Sequence, residues 1–326
     1  MCYDITRLLI VNRIFSTILI ASIFLGPAAF ADQTPVPKPY TSGPYKVEAV
    51  FEPDRARIMA GEPFWILLTI VNIGNTAFRT EKHSLNDELR WNVTITDTNG
   101  HIVAGPPAGI LMSGLTAFPT VNSGDEIDYD YLGNQRWTNM QPGVYTVTCE
   151  RPLTMESADE KQGPNSSETV DLKDSFILQV DPYDDRRMGA IIDSLGLQAL
   201  AVGLGAEFDP VRCLSTIDDE RTIDWYCKII NRYAGETDSY VITGLSQFST
   251  VPAVQTLVPL LTENWGGEGF YAKFIVDTLK VMLNRSGTDK KALLEVVHHH
   301  LLPYLTSTSP DAREAAMQGL KTISGP

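Results

Sequence analysis

The residues with the most evident chemical potential are three consecutive histidines, His298, His299 and His300. Successive side chains on a helix point about 100° apart, so the three cannot all bind one metal ion from a regular helix. Metal-binding imidazoles on one helix instead follow i,i+4 spacing, as in His-Glu-x-x-His. Glu295 and His299 have that spacing, and the pair could bind a metal if further ligands came from elsewhere. We favour the alternative, a solvated helix face with one histidine packed inside.

A second acidic set lies on a predicted strand. Asp125 precedes it, and strand alternation places Glu126, Asp128 and Asp130 on one side. Three carboxylates in a row could hold calcium together with loop carbonyls. A solvent-facing outer surface of a sheet explains the same pattern and is the interpretation we favour.

Two further segments have simpler explanations. Asp218, Asp219 and Glu220 precede an apolar helical pattern, where capping and the helix dipole favour acidic residues. The stretch 265–269 (WGGEG) is predicted to be a loop between helices, and no Lys-Ser/Thr follows it as a phosphate-binding loop requires.

Signatures of nucleophilic catalysis are missing from the sequence. It contains no Gly-x-Ser-x-Gly and no Cys-x-x-Cys, and outside the cluster its only histidines are His83 and His101. Paired catalytic carboxylates have no local signature, so that possibility stays open. We therefore assign no catalytic, cofactor-binding or metal-binding residue and expect no cofactor.

The overall charge restricts the class of partner. A net charge of -14 disfavours nucleic acid, because binding phosphates requires a basic surface. It also disfavours adhesion to anionic lipid, and it promotes solubility. The expected partner is a protein.

The first 31 residues have the features of a secretory signal peptide. Arg7 and Arg13 precede an uncharged apolar run at 14–25, too short to span a bilayer comfortably. Ala29 and Ala31 are the small residues that a signal peptidase reads, which predicts cleavage after Ala31. The alternative is an uncleaved anchor helix. We predict a periplasmic or secreted protein without a stable membrane span after cleavage, whose proline-rich residues 32–44 form an extended linker.

The cysteines give little information about the fold or the function. Cys2 leaves with the signal peptide, and Cys149, Cys213 and Cys227 remain. In an oxidising compartment Cys213 and Cys227 could close a short loop. Small buried side chains are the equally open alternative.

Period-two alternation dominates residues 45–181, which predicts a set of short antiparallel strands forming a β-sandwich. Asn99-Gly100 is a strong hairpin turn. The polar stretch 153–173 is expected to be a long mobile loop. Predicted strands cover 45–52, 56–61, 64–74, 89–97, 101–105, 126–133, 143–150 and 175–181.

Residues 183–326 change to helical spacing and contain an internal repeat. The segment 257–261 (LVPLL) recurs as 301–305 (LLPYL), 44 residues later. Segments 241–245, 274–279 and 315–320 also end alike, each on a leucine. Repeats of this length in paired helices predict an α-solenoid, and an ordinary helical bundle is the alternative.

Both halves show resemblances to known families. The segment 61–74 (GEPFWILLTIVNIG) and the segment 142–147 (PGVYTV) resemble immunoglobulin-like, fibronectin-like domains of exported bacterial proteins. The resemblance implies a tyrosine corner at Tyr145, whose hydroxyl bonds back to the chain. Cys149 has no cysteine partner in the first long strand, which places the resemblance at the disulfide-free end of this class.

The last helical unit, 301–323, resembles a HEAT repeat, with Leu-Pro-x-Leu ending one helix and Pro310-Asp311 starting the next. The predicted fold class is thus multidomain β plus α, with an antiparallel Ig-like β-sandwich at 45–181 and a short HEAT-like α-solenoid at 183–326. The resemblances imply a fold and no activity.

These observations predict a non-catalytic exported protein that acts as a protein–protein interaction or scaffold module. One alternative is an envelope hydrolase or metal-dependent enzyme that uses acidic residues or the helix carrying His298, His299 and His300. Another is a purely structural accessory pair of domains.

Overall fold

The computed structural model describes residues 35–82, 90–104, 117–137, 140–158, 167–202, 210–233, 239–261, 270–285, 290–307 and 310–323. The predicted signal peptide and the 265–269 loop lie outside this set. Pro35–Pro326 form one compact unit. No helix within the described ranges has the length and apolar composition to cross a membrane.

Strands occupy the first half of this unit and helices the second, which confirms the predicted β plus α class. Each strand predicted from alternation coincides at least in part with an observed one. The strands are β1 (Lys38–Ser42), β2 (Tyr45–Pro53), β3 (Arg57–Met59), β4 (Trp65–Asn72), β5 (Phe78–Arg79), β6 (Asn92–Thr96), β7 (Ile102–Ala104), β8 (Thr120–Val121), β9 (Glu126–Leu132), β10 (Gly143–Ser157) and β11 (Ser167–Asp181).

The strands form two sheets that share one hydrophobic core. The first sheet has the order β1-β2-β4-β9, and the second has β3-β11-β10-β5-β8 with β6 and β7 attached beside β10. Alternate side chains of each strand point inward, so Phe51 and Leu68 of the first sheet join Val147 and Leu178 of the second. All strand pairs are antiparallel except β3 with β11.

The predicted loop at 153–173 is wrong over most of its described length. β10 continues to Ser157 and β11 begins at Ser167, and the two strands pair along their whole length. Leu153, Met155 and Leu172 alternate into the core and are almost completely buried. The polar residues between them face outward. Because these polar and acidic residues dominate the composition, the strand alternation of the apolar residues was overlooked in the sequence.

The predicted linker at 32–44 is also corrected, because residues 38–42 form β1. The Tyr40 hydroxyl donates to the backbone oxygen of Lys173 at 2.7 Å and accepts from its backbone nitrogen at 3.1 Å. Lys38 pairs with Asp174, and Ser42 donates to Glu168 at 3.1 Å. β1 therefore connects the first sheet to β11 through side chains, which satisfy backbone groups that β11 would otherwise expose.

The Tyr145 hydroxyl donates to the backbone oxygen of Gln141 at 2.8 Å, which is the bond expected for this residue. The Trp137 ring packs edge-on against Tyr145, 4.5 Å between centroids. Burial raises the pKa of Tyr145, so its hydroxyl stays a proton donor over the physiological range. The bond fixes the chain just before β10.

Tyr145→Phe is expected to lower the free energy of unfolding by about 1 kcal/mol, the usual net value of one hydrogen bond. Urea unfolding followed by tryptophan fluorescence measures it. The control is Tyr183→Phe, because the Tyr183 side chain is exposed and water can replace its contacts. If both variants lose the same free energy of unfolding, the hydrogen bond from Tyr145 to Gln141 makes no particular contribution to stability.

Helices occupy the rest of the unit and pack in two alternating rows. α1, α3, α5 and α7 pack in succession along one row, and α2, α4, α6 and α8 along the other. Their cores merge into one cluster that extends from Met188 to Ala316. The helices are α1 (Asp185–Val202), α2 (Pro210–Leu214), α3 (Arg221–Arg232), α4 (Ser239–Leu245), α5 (Val251–Leu257), α6 (Phe270–Arg285), α7 (Lys290–Leu301) and α8 (Pro310–Ile323).

The two Leu-Pro segments occupy equivalent places in these rows. α5 runs directly into the 3-10 helix Val258–Leu261, and α7 runs into the 3-10 helix Leu302–Thr306. A proline stands second in each 3-10 helix, where its missing N–H removes an α-helical hydrogen bond. The sequence repeat is therefore also a repeat of local structure.

Glycines allow the first helices to approach closely. A Cβ atom added at Gly196 of α1 would lie 2.0 Å from the Trp225 ring of α3, and one at Gly244 of α4 would lie 2.1 Å from the Tyr226 hydroxyl. Neither position has room for a methyl group. These contacts determine the spacing between neighbouring helices.

The sheets contact the helices through the buried carboxylate of Glu62 and through apolar side chains near it. Glu62, between β3 and β4, accepts from Arg187 of α1 at 2.6 Å, from Arg55, and from the backbone nitrogen of Met59 at 2.9 Å. Met59 belongs to the hydrophobic core cluster of the helices, so apolar packing also connects the sheets to the helices at this point. A smaller cluster places Trp65 and Leu132 of the sheet beside Cys213 of α2.

Candidate functional site

A groove of about 680 Å³ lies between α5 and α7. Apolar side chains supply about half of its lining, and a carboxylate, an amide and two imidazoles supply the polar part. The lining residues are Val251, Gln255, Val258, Ala292, Glu295, Val296, His299 and His300.

The sequence of α7 explains how these residues reach the groove. Residues four apart on a helix lie one above the other, so Leu293, Val297 and Leu301 form one row, which is buried in the core. Ala292 and Val296 form the adjacent row along the groove. Glu295 and His299 form a third row at its solvent side, with both side chains exposed.

The three consecutive histidines do not converge on one point. His299 and His300 line the groove, whereas His298 lies outside its lining. The His300 ring packs against Tyr304 at 5.7 Å between centroids, tilted by 34°. His300 is therefore partly packed and His299 exposed, as expected from the helical spacing.

The Glu295/His299 pair lines the groove together with His300. Within the described part of the chain, no three His, Cys, Asp or Glu side chains are grouped so that they could hold a metal ion. Lys291 lies 4.0 Å from the Glu295 carboxylate, in an exposed pair of little energetic weight. The pair is thus a polar rim of the groove.

The acidic row Glu126, Asp128 and Asp130 lies on β9, an outer strand of the four-stranded sheet. Asp128 accepts from the Thr69 hydroxyl at 2.9 Å on the neighbouring strand. Asp125 accepts from the Asn122 backbone and side chain, and these bonds lower its pKa. Charged side chains on an outer strand discourage pairing with other chains, which accounts for the row.

Asp219 acts at the start of α3, and its role extends beyond capping. Its carboxylate accepts from the Arg221 backbone at 3.0 Å and also binds the Arg221 guanidinium, which lowers the pKa of Asp219. The same guanidinium reaches Asp185 of α1 at 3.0 Å. The acidic segment therefore links the beginnings of α1 and α3.

The three described cysteines are free thiols, so the possible Cys213–Cys227 disulfide is absent from this structure. Cys213 is buried beside Trp65, whereas Cys227 is exposed on α3. Cys149 lies between the sheets, where burial raises its pKa and keeps it protonated. The interpretation as small buried side chains applies to Cys149 and Cys213.

Sequence reasoning identified the polar rim of the groove and missed its floor. Val251 at the floor and Gln255 at the rim come from α5, and Val258 comes from the 3-10 helix that follows α5, some 40 residues before α7 in the chain. The only available signal was the repeated Leu-Pro segment, which placed α5 and α7 in equivalent positions. That equivalence makes them neighbours in one row.

A scan against protein families finds no match, and a search of curated proteins finds none. A crystal structure assigned to an ApaA protein of Bordetella pertussis is 15% identical, covers 42% of this chain and 95% of its own, and has a TM-score of 0.25. A structural-genomics X-ray structure is 16% identical, covers 42% and 86%, and has a TM-score of 0.23. Similarities this low carry no argument about the chain.

Proposed function

We propose that this chain is an exported, non-catalytic protein-interaction module that binds a partner segment in the groove between α5 and α7. The observation that carries the proposal is the groove itself, with an apolar floor and a rim of Glu295, His299 and Gln255. Export rests on the predicted signal peptide at 1–31 and implies a periplasmic or secreted protein.

The finer fold assignment belongs to the same proposal. An immunoglobulin-like β-sandwich is supported by the shared core of the two sheets and by the Tyr145–Gln141 bond, which has the form of a tyrosine corner. A HEAT-like array is supported by the alternating helix rows and the equivalent Leu-Pro segments. Arrays of this kind use extended surfaces to bind proteins.

The chemistry of the groove favours a segment that carries an apolar side chain next to a lysine or arginine. Val251, Ala292 and Val296, which are at least partly exposed, offer the apolar contact. Glu295 offers an exposed negative charge beside it, in a chain whose net charge is -14. A basic segment is attracted to such a protein from a distance, and the rim then orients it.

Two synthetic amphipathic peptides of equal length test this, one built from leucine and lysine and the other from leucine and glutamate. Calorimetric titration should show tighter binding of the lysine peptide. Glu295→Lys should weaken that binding about tenfold, which corresponds to ~1.4 kcal/mol. The matched control is Glu314→Lys, the same charge change at an exposed position of α8.

The control separates local binding from general charge attraction. Glu314→Lys should leave the affinity within about twofold of the unchanged chain, because salt screens a distant exposed charge. Equal weakening by both substitutions, or equal binding of the two peptides, would contradict a groove-specific interaction.

A metal-dependent enzyme or envelope hydrolase is the competing proposal, since Glu295 and His299 share the groove. Metal analysis of the purified chain decides between the two. Stoichiometric zinc or calcium that is lost in His299→Ala would favour the enzyme. A metal-free chain that binds the lysine peptide would favour the interaction module.

A further inference from the structure

The last helical unit exposes an apolar surface that the preceding unit buries. The segments 257–261 and 301–305 repeat in sequence and occupy equivalent places at the end of α5 and α7. Leu257 and Leu301, at the ends of those helices, are both completely buried. The local structures are thus alike. Differences in exposure further along the two segments therefore come from the residues that pack over them.

Beyond these leucines the two segments differ sharply in exposure. Val258 and Leu261 are 0% and 4% exposed, whereas their counterparts Leu302 and Leu305 are 54% and 36% exposed. The first 3-10 helix is covered by α7 and α8. A Cβ atom at Gly319 of α8 would lie only 3.6 Å from a Leu261 methyl carbon, which shows how close this cover is.

The exposed surface extends onto α8. Arg313 donates to the backbone oxygen of Ser307, just after the second 3-10 helix. Met317 lies one turn further along the same face of α8, and it is exposed. Single exposed apolar residues are ordinary on protein surfaces. Leu302 and Leu305 instead have counterparts, Val258 and Leu261, that are buried one unit earlier, and Met317 is an exposed apolar residue of the helix that follows them.

The charge pattern around this surface indicates what can cover it. Leu302 and Leu305 lie in residues 296–310, which contain no Asp, Glu, Lys or Arg, and the α8 residues Arg313 and Glu314 near Met317 have opposite charges, although the whole chain has a net charge of -14. Two copies of a strongly acidic protein repel one another unless the contacting surfaces are uncharged, because opposed like charges are costly. An uncharged apolar surface suits contact with its own copy, since a two-fold interface places the same residues on both sides.

We propose that the end of the helical array, formed by Leu302, Leu305 and Met317, is a dimer interface that pairs two copies of this chain about a two-fold axis. The leucines of one copy pack against those of the other. Each copy thereby covers the leucines of the other, as α7 and α8 cover Val258 and Leu261 within one chain. The proposal does not depend on what binds in the groove.

Sedimentation equilibrium of the full chain tests the interface, with a reducing agent present because Cys227 is exposed and could crosslink copies. The unchanged chain should sediment as a dimer, and Leu302→Glu/Leu305→Glu as a monomer. Both leucines are exposed, so the double variant should retain its circular dichroism and thermal midpoint. The control is Leu197→Glu, an equally exposed leucine of α1, which should remain dimeric.

Each outcome bears on the interface separately from the groove. A monomeric unchanged chain at every attainable concentration overturns the proposal, as does a double variant that stays dimeric. Dissociation of the Leu197→Glu variant to the same extent would also overturn it. Peptide binding by a monomeric double variant would show that the groove functions without the dimer.

Discussion

Glu62→Ala is expected to lower the free energy of unfolding by about 2 kcal/mol, the usual cost of leaving a buried hydrogen-bond donor without its acceptor. The Glu62 side chain is only 3% exposed and binds both Arg55 and Arg187. Its removal takes a carboxylate partner from Arg55 and from Arg187 and leaves the Met59 backbone nitrogen without its side-chain acceptor. Urea unfolding, followed by both circular dichroism and tryptophan fluorescence, measures the loss.

The location of Glu62 gives this substitution a second consequence. Arg187 belongs to α1 and Arg55 to the segment before β3, so Glu62 couples the sheets to the helices. Signals from tryptophans of the sheets and from helical circular dichroism should therefore diverge in the variant. The control is Glu314→Ala on the exposed face of α8, with an expected change within about 0.5 kcal/mol. Comparable losses in both variants would remove the special role assigned to Glu62.

Gly196→Ala is expected to lower the free energy of unfolding by about 2 kcal/mol, although alanine is the better helix former by about 1 kcal/mol. The new methyl group would lie 2.0 Å from the Trp225 ring, far inside van der Waals contact. Trp225 cannot easily move away, because its indole nitrogen donates to Asp193 at 3.2 Å and Lys228 lies over its ring. Thermal and urea unfolding both measure the loss.

Gly189→Ala on the same helix is the matched control with the opposite expected sign. A methyl group there would meet only the end of the Arg221 side chain, at 2.9 Å, and that side chain is flexible and partly exposed. The gain in helix propensity then dominates, so stability should stay the same or rise by up to about 1 kcal/mol. Destabilisation of both variants to a similar degree would show that the Trp225 contact is not the cause.

The two substitutions affect different contacts within the proposed interaction module. Glu62 connects the sheets to α1, and Gly196 sets the distance between α1 and α3. α5 packs on α3, and α7 packs on α5, so the groove depends on that spacing only through two further helix contacts. Peptide binding should therefore survive Glu62→Ala under conditions where the variant remains folded.

Local patterns in the sequence were sufficient to identify the type of most elements. Alternation at 45–52 and 126–133 predicted strands that the structure contains, because side-chain direction in a strand repeats every second residue. The continuous apolar run at 64–74 predicted a third strand, which is also present. The change to helical spacing after 183 was equally clear. Local patterning failed at 153–173, where outward-facing polar residues outnumber the three buried apolar ones.

The sequence by itself determined that strands come first and helices second, the repeated Leu-Pro segments, and the i,i+4 spacing that puts Glu295 and His299 on one helix face. Only the tertiary structure decided which surfaces meet. Glu62 and Arg187 are 125 residues apart in the chain, and the floor of the groove comes from a different helix than its acidic rim. Periodicity shows which face of an element is apolar, whereas its partner is selected by packing among residues distant in sequence. For the same reason, Val258 and Leu261 of the first repeated segment are buried, whereas their counterparts Leu302 and Leu305 of the second are exposed.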